Sequence, residues 1–85
     1  MPNIKALKAR AHALNPVVMI GNKGLTDAVL LEIEAALETH ELIKVKIAAA
    51  RDERSVIAQK IAEATEADLI QTIGQMAIFF RPSES

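Results

Sequence analysis

The chain has 85 residues, 51% of them hydrophobic, and ten basic residues stand against eleven acidic ones for a net charge of −1. That length and composition define one domain with a small core, and the near-balance of charge excludes a uniformly cationic polyanion binder: any nucleic-acid surface must come from segregated charge. The absence of cysteine excludes a disulfide framework, a thiolate nucleophile and a cysteine metal site, and two phenylalanines without tyrosine or tryptophan leave little aromatic surface for stacking unpaired bases.

Lys5, Lys8 and Arg10 interrupt the region where a signal peptide needs an apolar stretch, and the sequence has no apolar run long enough to span a bilayer. A cytoplasmic protein that does not engage a membrane is expected. From Asn3 to about Leu14, the apolar positions Ile4, Leu7, Ala11 and Leu14 recur at helical spacing, with Asn3 placed as N-cap and Pro16 as a stop. Lys5, Lys8 and His12 share another face of this helix, which reads either as a solvated surface or as a cationic edge.

Val17 to Ile20 is a short apolar run bounded by Pro16 and Gly21, the pattern of a strand buried on both faces and placed centrally or nearly so. Gly21-Asn22-Lys23-Gly24 follows, and Thr26 or Asp27 then starts a helix running to about His40. Its buried stripe is Val29, Ile33, Ala36 and Leu37, and Glu32, Glu34, Glu38 and Glu41 make its other face acidic. Leu42 to Ala48 alternates, with Ile43, Val45 and Ile47 inward and Lys44 and Lys46 outward, as in a half-exposed strand.

Ala49 to Arg51 reads as a connector, Asp52 as an N-cap, and a third helix continues to about Glu66 with Val56 or Ile57, Ile61 and Ala64 toward the core. Asp68–Ile73 and Met76–Arg81 are two strand patterns separated by Gly74-Gln75, the spacing of a tight hairpin, so the last strand is antiparallel to the third. Pro82 ends the fold and a polar tail follows. The order, a helix followed by β-α-β-α-β-β, is that of an α/β domain.

The loop between the first strand and the second helix is the candidate binding site. Glycines at 21 and 24 permit positive φ and close approach of another chain, Lys23 supplies a charge, and the helix start directs unpaired N–H groups and the positive end of its dipole at the loop. Phosphate is the natural guest. The run is neither a P-loop nor a Gly-x-Gly-x-x-Gly dinucleotide fingerprint, which removes nucleotide hydrolysis and hydride transfer. His12 and His40 lie on separate helices without metal-ligand spacing, and Ser55, Ser83 and Ser85 sit in no nucleophile elbow. No catalytic constellation emerges, so neither enzyme activity, nor a cofactor, nor a metal is expected.

Leu14 to Thr26 (Leu-Asn-Pro-Val-Val-Met-Ile-Gly-Asn-Lys-Gly-Leu-Thr), Glu-Leu-Ile-Lys-Val-Lys from Glu41, and Gln-Thr-Ile-Gly with Phe-Arg-Pro near the end together closely resemble the YhbY-like family. These are RNA-binding proteins of the chloroplast RNA splicing and ribosome maturation (CRM) domain class. The resemblance spans essentially the whole chain. It implies a two-layer α/β fold similar to the C-terminal domain of bacterial translation initiation factor 3, with an added N-terminal helix and a mixed four-stranded sheet of order 1-2-4-3. It also implies a single-domain RNA-binding protein that contacts ribosomal RNA on precursors of the large ribosomal subunit. The glycine loop maps onto Gly21, Asn22, Lys23 and Gly24, similar in role to the loop by which KH domains clamp an RNA backbone. The first helix departs from the family's longer basic run, carrying Lys5, Lys8 and Arg10.

The expected RNA contact is therefore Gly21, Asn22, Lys23 and Gly24, widened by Lys5, Lys8, Lys44, Lys46 and by Arg51 or Arg81, on a protein expected to be monomeric. The rival reading is an adaptor that docks on a ribosomal protein or assembly factor through its acidic second helix.

Overall fold

The computed structural model describes residues 3–82. The elements are α1 (Ile4–His12), β1 (Val18–Ile20), α2 (Asp27–His40), β2 (Leu42–Ile47), α3 (Arg51–Thr65), β3 (Asp68–Ile73) and β4 (Met76–Phe80). The four strands form one sheet in the order β1-β2-β4-β3, with β1 parallel to β2 and the other neighbours antiparallel. Expected element order, strand order and direction all match. The polar tail expected after Pro82 lies outside the described residues.

Local chemistry accounts for most boundaries. The Asn3 side chain accepts from the N–H of Lys5 and Ala6 at 3.0 and 3.3 Å, and Thr26 Oγ1 accepts from the N–H of Val29 at 3.2 Å; each cap satisfies first-turn donors that the helix itself leaves unpaired. Gly74 takes φ +56 as the first central residue of the hairpin, the left-handed region that primed turns require. In the parallel β1-α2-β2 unit, α2 leads the chain back to the start of β2.

The period-2 alternation of the strands sends side chains to two different environments. On one face Val18, Ile20, Ile43, Val45, Ile47, Ala77 and Phe79 pack with Ile33 and Leu37 of α2 and Ala58 and Ile61 of α3, forming the main core. On the other, Leu42, Ile78 and Phe80 pack under Leu7 and Ala11 of α1 in a smaller cluster. A β-bulge between Leu69 and Gln71 inserts Ile70, which joins the α1 cluster while Leu69 packs on the main core. The added N-terminal helix thus covers only part of the second face.

Three local expectations are corrected. β1 is an edge strand, not a central one, and Met19 at its middle is 63% exposed: a three-residue apolar strand looks the same in sequence whether one side or both sides are covered. Asp52 is not an N-cap; α3 begins one residue before it, Ala50 occupies the cap without a side-chain hydrogen bond, and Asp52 lies in the first turn. In α3, Ala64 is exposed and Thr65 is buried, its hydroxyl donating to the Ile61 carbonyl at 2.7 Å, so a polar residue sits where the core stripe ends.

Candidate nucleic-acid interface

The glycine loop is a hydrogen-bonded turn. The Gly24 N–H donates to the Gly21 carbonyl at 3.0 Å, closing the four residues on themselves, and α2 follows after its Thr26 cap. The two glycines do different things. Gly24 sits at φ +70, where an L side chain is strained, and so the turn itself accounts for it. Gly21 has no positive φ, and a Cβ built there meets nothing within 4 Å, so nothing in the described fold requires glycine at 21. Asn22 and Lys23 form the exposed tip.

Strand register extends the site sideways. Met19, one residue before the end of β1, pairs with Lys46, and Lys46 pairs on its other side with Met76, which pairs with Ile73. At about 4.8 Å between strands, this row crosses the sheet immediately beside the loop. Lys44 follows about 6.8 Å along the same face of β2, opposite Ile78. Both lysines are half-buried, with aliphatic stems on the sheet and ammonium groups free to reach solvent.

On α1, Leu7 and Ala11 face the sheet, which puts Lys5, Lys8 and His12 on one flank and Arg10 on the opposite flank. Arg10 lines a groove with Leu14, Val17, His40, Leu42 and Lys44, so the α1 cation that the fold sets beside the β2 lysines is Arg10. Residues 1–26 carry Lys5, Lys8, Arg10 and Lys23 and not one carboxylate; the first is Asp27. Sequence patterning alone passed over this asymmetry, which a simple count by segment reveals.

Arg51 and Arg81 stand apart. Arg51, the first residue of α3, lies near the hairpin turn at the same end of the sheet as the loop. Arg81 is at the far end of β4, and its guanidinium is turned to the helical face: Nη1 donates to Glu34 Oε2 at 2.9 Å and to the Thr65 carbonyl at 2.8 Å, and Nη2 to Glu38 Oε1 at 3.0 Å. Its side chain is 18% exposed, and two carboxylates neutralise it. The structure gives Arg81 a place inside the fold, away from the loop and the lysines.

A profile of the CRS1/YhbY (CRM) domain matches residues 2–81. The chain belongs to the CRM domain family. A Haemophilus influenzae relative named as an RNA-binding protein is 54% identical over 79 residues, covering 92% of this chain and 80% of the relative. A Pseudomonas aeruginosa relative named as a probable RNA-binding protein is 45% identical over 78 residues, covering 91% of this chain and 75% of the relative. The solution structure of a hypothetical protein from Staphylococcus aureus superposes with a TM-score of 0.85 at 32% identity, covering 96% of this chain and 86% of the other. The CRM family and these named relatives are described by RNA binding rather than by catalysis. Among the described residues, no group of three or more His, Cys, Asp or Glu side chains could hold a metal, and no helix is long and apolar enough to cross a membrane.

Proposed function

We propose that this CRM domain binds structured ribosomal RNA in the cytoplasm as a monomer and acts in assembly of the large ribosomal subunit, with no catalytic step of its own. The observation that carries this reading is Gly21. A glycine that neither backbone conformation nor internal packing requires, at the root of an exposed turn, is accounted for by a ligand backbone that needs the room a side chain would take. A sugar-phosphate chain suits the site. Lys23 supplies a charge at the exposed tip of the turn, and Lys46 and Lys44 on β2 with Lys8 and Lys5 on α1 supply further cations for phosphate contacts. With two phenylalanines as the whole aromatic complement, contact is to shape and backbone rather than to stacked bases. The names of the relatives favour the same ligand class.

Docking through the acidic face of α2 is less well supported, because Glu34 and Glu38 are already engaged by Arg81. Ribosomal proteins beside the bound RNA remain secondary contacts in this reading.

The test is gel-shift titration of structured ribosomal RNA fragments over a salt series, with circular dichroism to verify each fold. Lys23→Glu is expected to weaken binding several-fold on all fragments and to lower the salt slope by about one. Gly21→Asp, which places a carboxylate in the same space, is expected to weaken it at unchanged stability. If folded Lys23→Glu and Gly21→Asp both bind as wild type does, the loop is not the contact.

A further inference from the structure

Two half-buried arginines, Arg54 of α3 and Arg81 just after β4, occupy opposite electrostatic environments. Arg81 is neutralised by two glutamates. Arg54 is also half-buried, yet its Nη1 donates to a main-chain carbonyl, that of Ala49, at 2.9 Å, and no carboxylate lies within ion-pair distance of it among the described residues. A guanidinium carries five N–H donors in a fixed fork; this one is anchored through one nitrogen and keeps its full charge and remaining donors.

Arg54 and Arg51 line a groove between the first turn of α3 and the β3–β4 hairpin, completed by Ser55, Thr72 and Gly74. The two carboxylates of the same turn, Asp52 and Glu53, line a different depression with Val56 and Ile57, so they do not fill the groove. The groove therefore joins two cations, two hydroxyl groups and a turn backbone, which is a donor set for a tetrahedral oxyanion. It opens at the same end of the sheet as the glycine loop: the Ala48 N–H donates to the Ile20 carbonyl at 2.9 Å, tying the residue before Gly21 to the connector that leads into α3. From Ala48 to Arg51 is at most about 10 Å of chain.

We infer that the Arg51–Arg54 groove is a second phosphate site, which takes a phosphodiester group of the RNA whose backbone crosses the Gly21–Gly24 loop. The inference rests on the RNA-binding reading above. Arg54, prepositioned by Ala49, orients the phosphate, and Arg51 and Ser55 complete its shell from the exposed side of α3. With two anchors at one end of the sheet, the loop after β1 and the groove between α3 and the β3–β4 hairpin, the site fixes the direction in which RNA crosses the loop, which a single clamp cannot do.

The experiment is the same salt-series gel shift on the full chain, with Arg51→Ala, Ser55→Glu and Arg54→Gln, the last retaining a side-chain amide that can donate to the Ala49 carbonyl. Thermal unfolding checks that each variant is folded. Arg51→Ala and Arg54→Gln are expected to weaken binding several-fold and to lower the salt slope by about one each, with Ser55→Glu at least as damaging. If Lys23→Glu weakens binding while the folded groove variants match wild type, the groove inference is overturned and the loop reading stands. If wild type binds none of the RNA fragments at low salt, the loop reading fails, and the groove inference with it.

Discussion

The two faces of the sheet are made from the same strands but put to different uses. On the α2/α3 face every inward residue of β2 is buried against helices, and the outer helix surface carries carboxylates, two of them locked to Arg81. On the α1 face a single short helix covers the Leu42, Ile78 and Phe80 end, with Lys44 beside it in the Arg10 groove, and leaves Met19 exposed. Net charge near zero is thus the sum of an acidic layer and a basic one. One face holds the domain together, and the other is left incomplete where a ligand can reach backbone and lysines.

Substitutions can break that division, and the largest effect should come from the packed face. Phe79 is fully buried in the main core, and Phe79→Ala is expected to cost about 3–5 kcal/mol in chemical denaturation. For a domain of 85 residues that is a large share of total stability. Arg81→Met should cost about 1–2 kcal/mol, the ion pairs being discounted because Glu34 and Glu38 are substantially solvated, and should leave the salt slope of RNA binding unchanged. A lowered slope in folded Arg81→Met would put Arg81 back into the contact.

The glycine pair sharpens the comparison at smaller amplitude. Gly24→Ala forces an L side chain into positive φ and is expected to cost about 1 kcal/mol, whereas Gly21→Ala should stay within about 0.5 kcal/mol of wild type in the same denaturation measurement. Gly21→Ala should nevertheless weaken RNA binding. Equal stability costs at the two positions would remove the argument that 21 is glycine for the sake of a ligand.

Much of this arrangement was legible in the sequence because the signals are local. Asn3 and Thr26 cap their own helices, Lys44 and Lys46 alternate with buried neighbours, and Gly74-Gln75 sets the hairpin. What could not be read depends on partners distant in the chain. The edge position of β1 depends on what lies beyond it, which the apolar run Val17 to Ile20 does not encode. Arg81 looked like one more surface cation until the fold brought it to Glu34 and Glu38, 47 and 43 residues earlier. The Arg54 groove likewise exists only once the hairpin folds against α3. The asymmetry of charge between residues 1–26 and the rest was present in the sequence all along, hidden by the overall balance.

The most direct test of the central claim, that the incompletely covered face and its loop are the RNA contact, is backbone-amide NMR mapping during titration with a structured ribosomal RNA fragment. The strongest shifts are expected at Gly21–Leu25, along Lys44–Ile47 and on the Lys5 and Lys8 flank of α1, with the outer surface of α2 quiet. Shifts concentrated on α2 around Glu34 and Glu38, with the loop unperturbed, would contradict it.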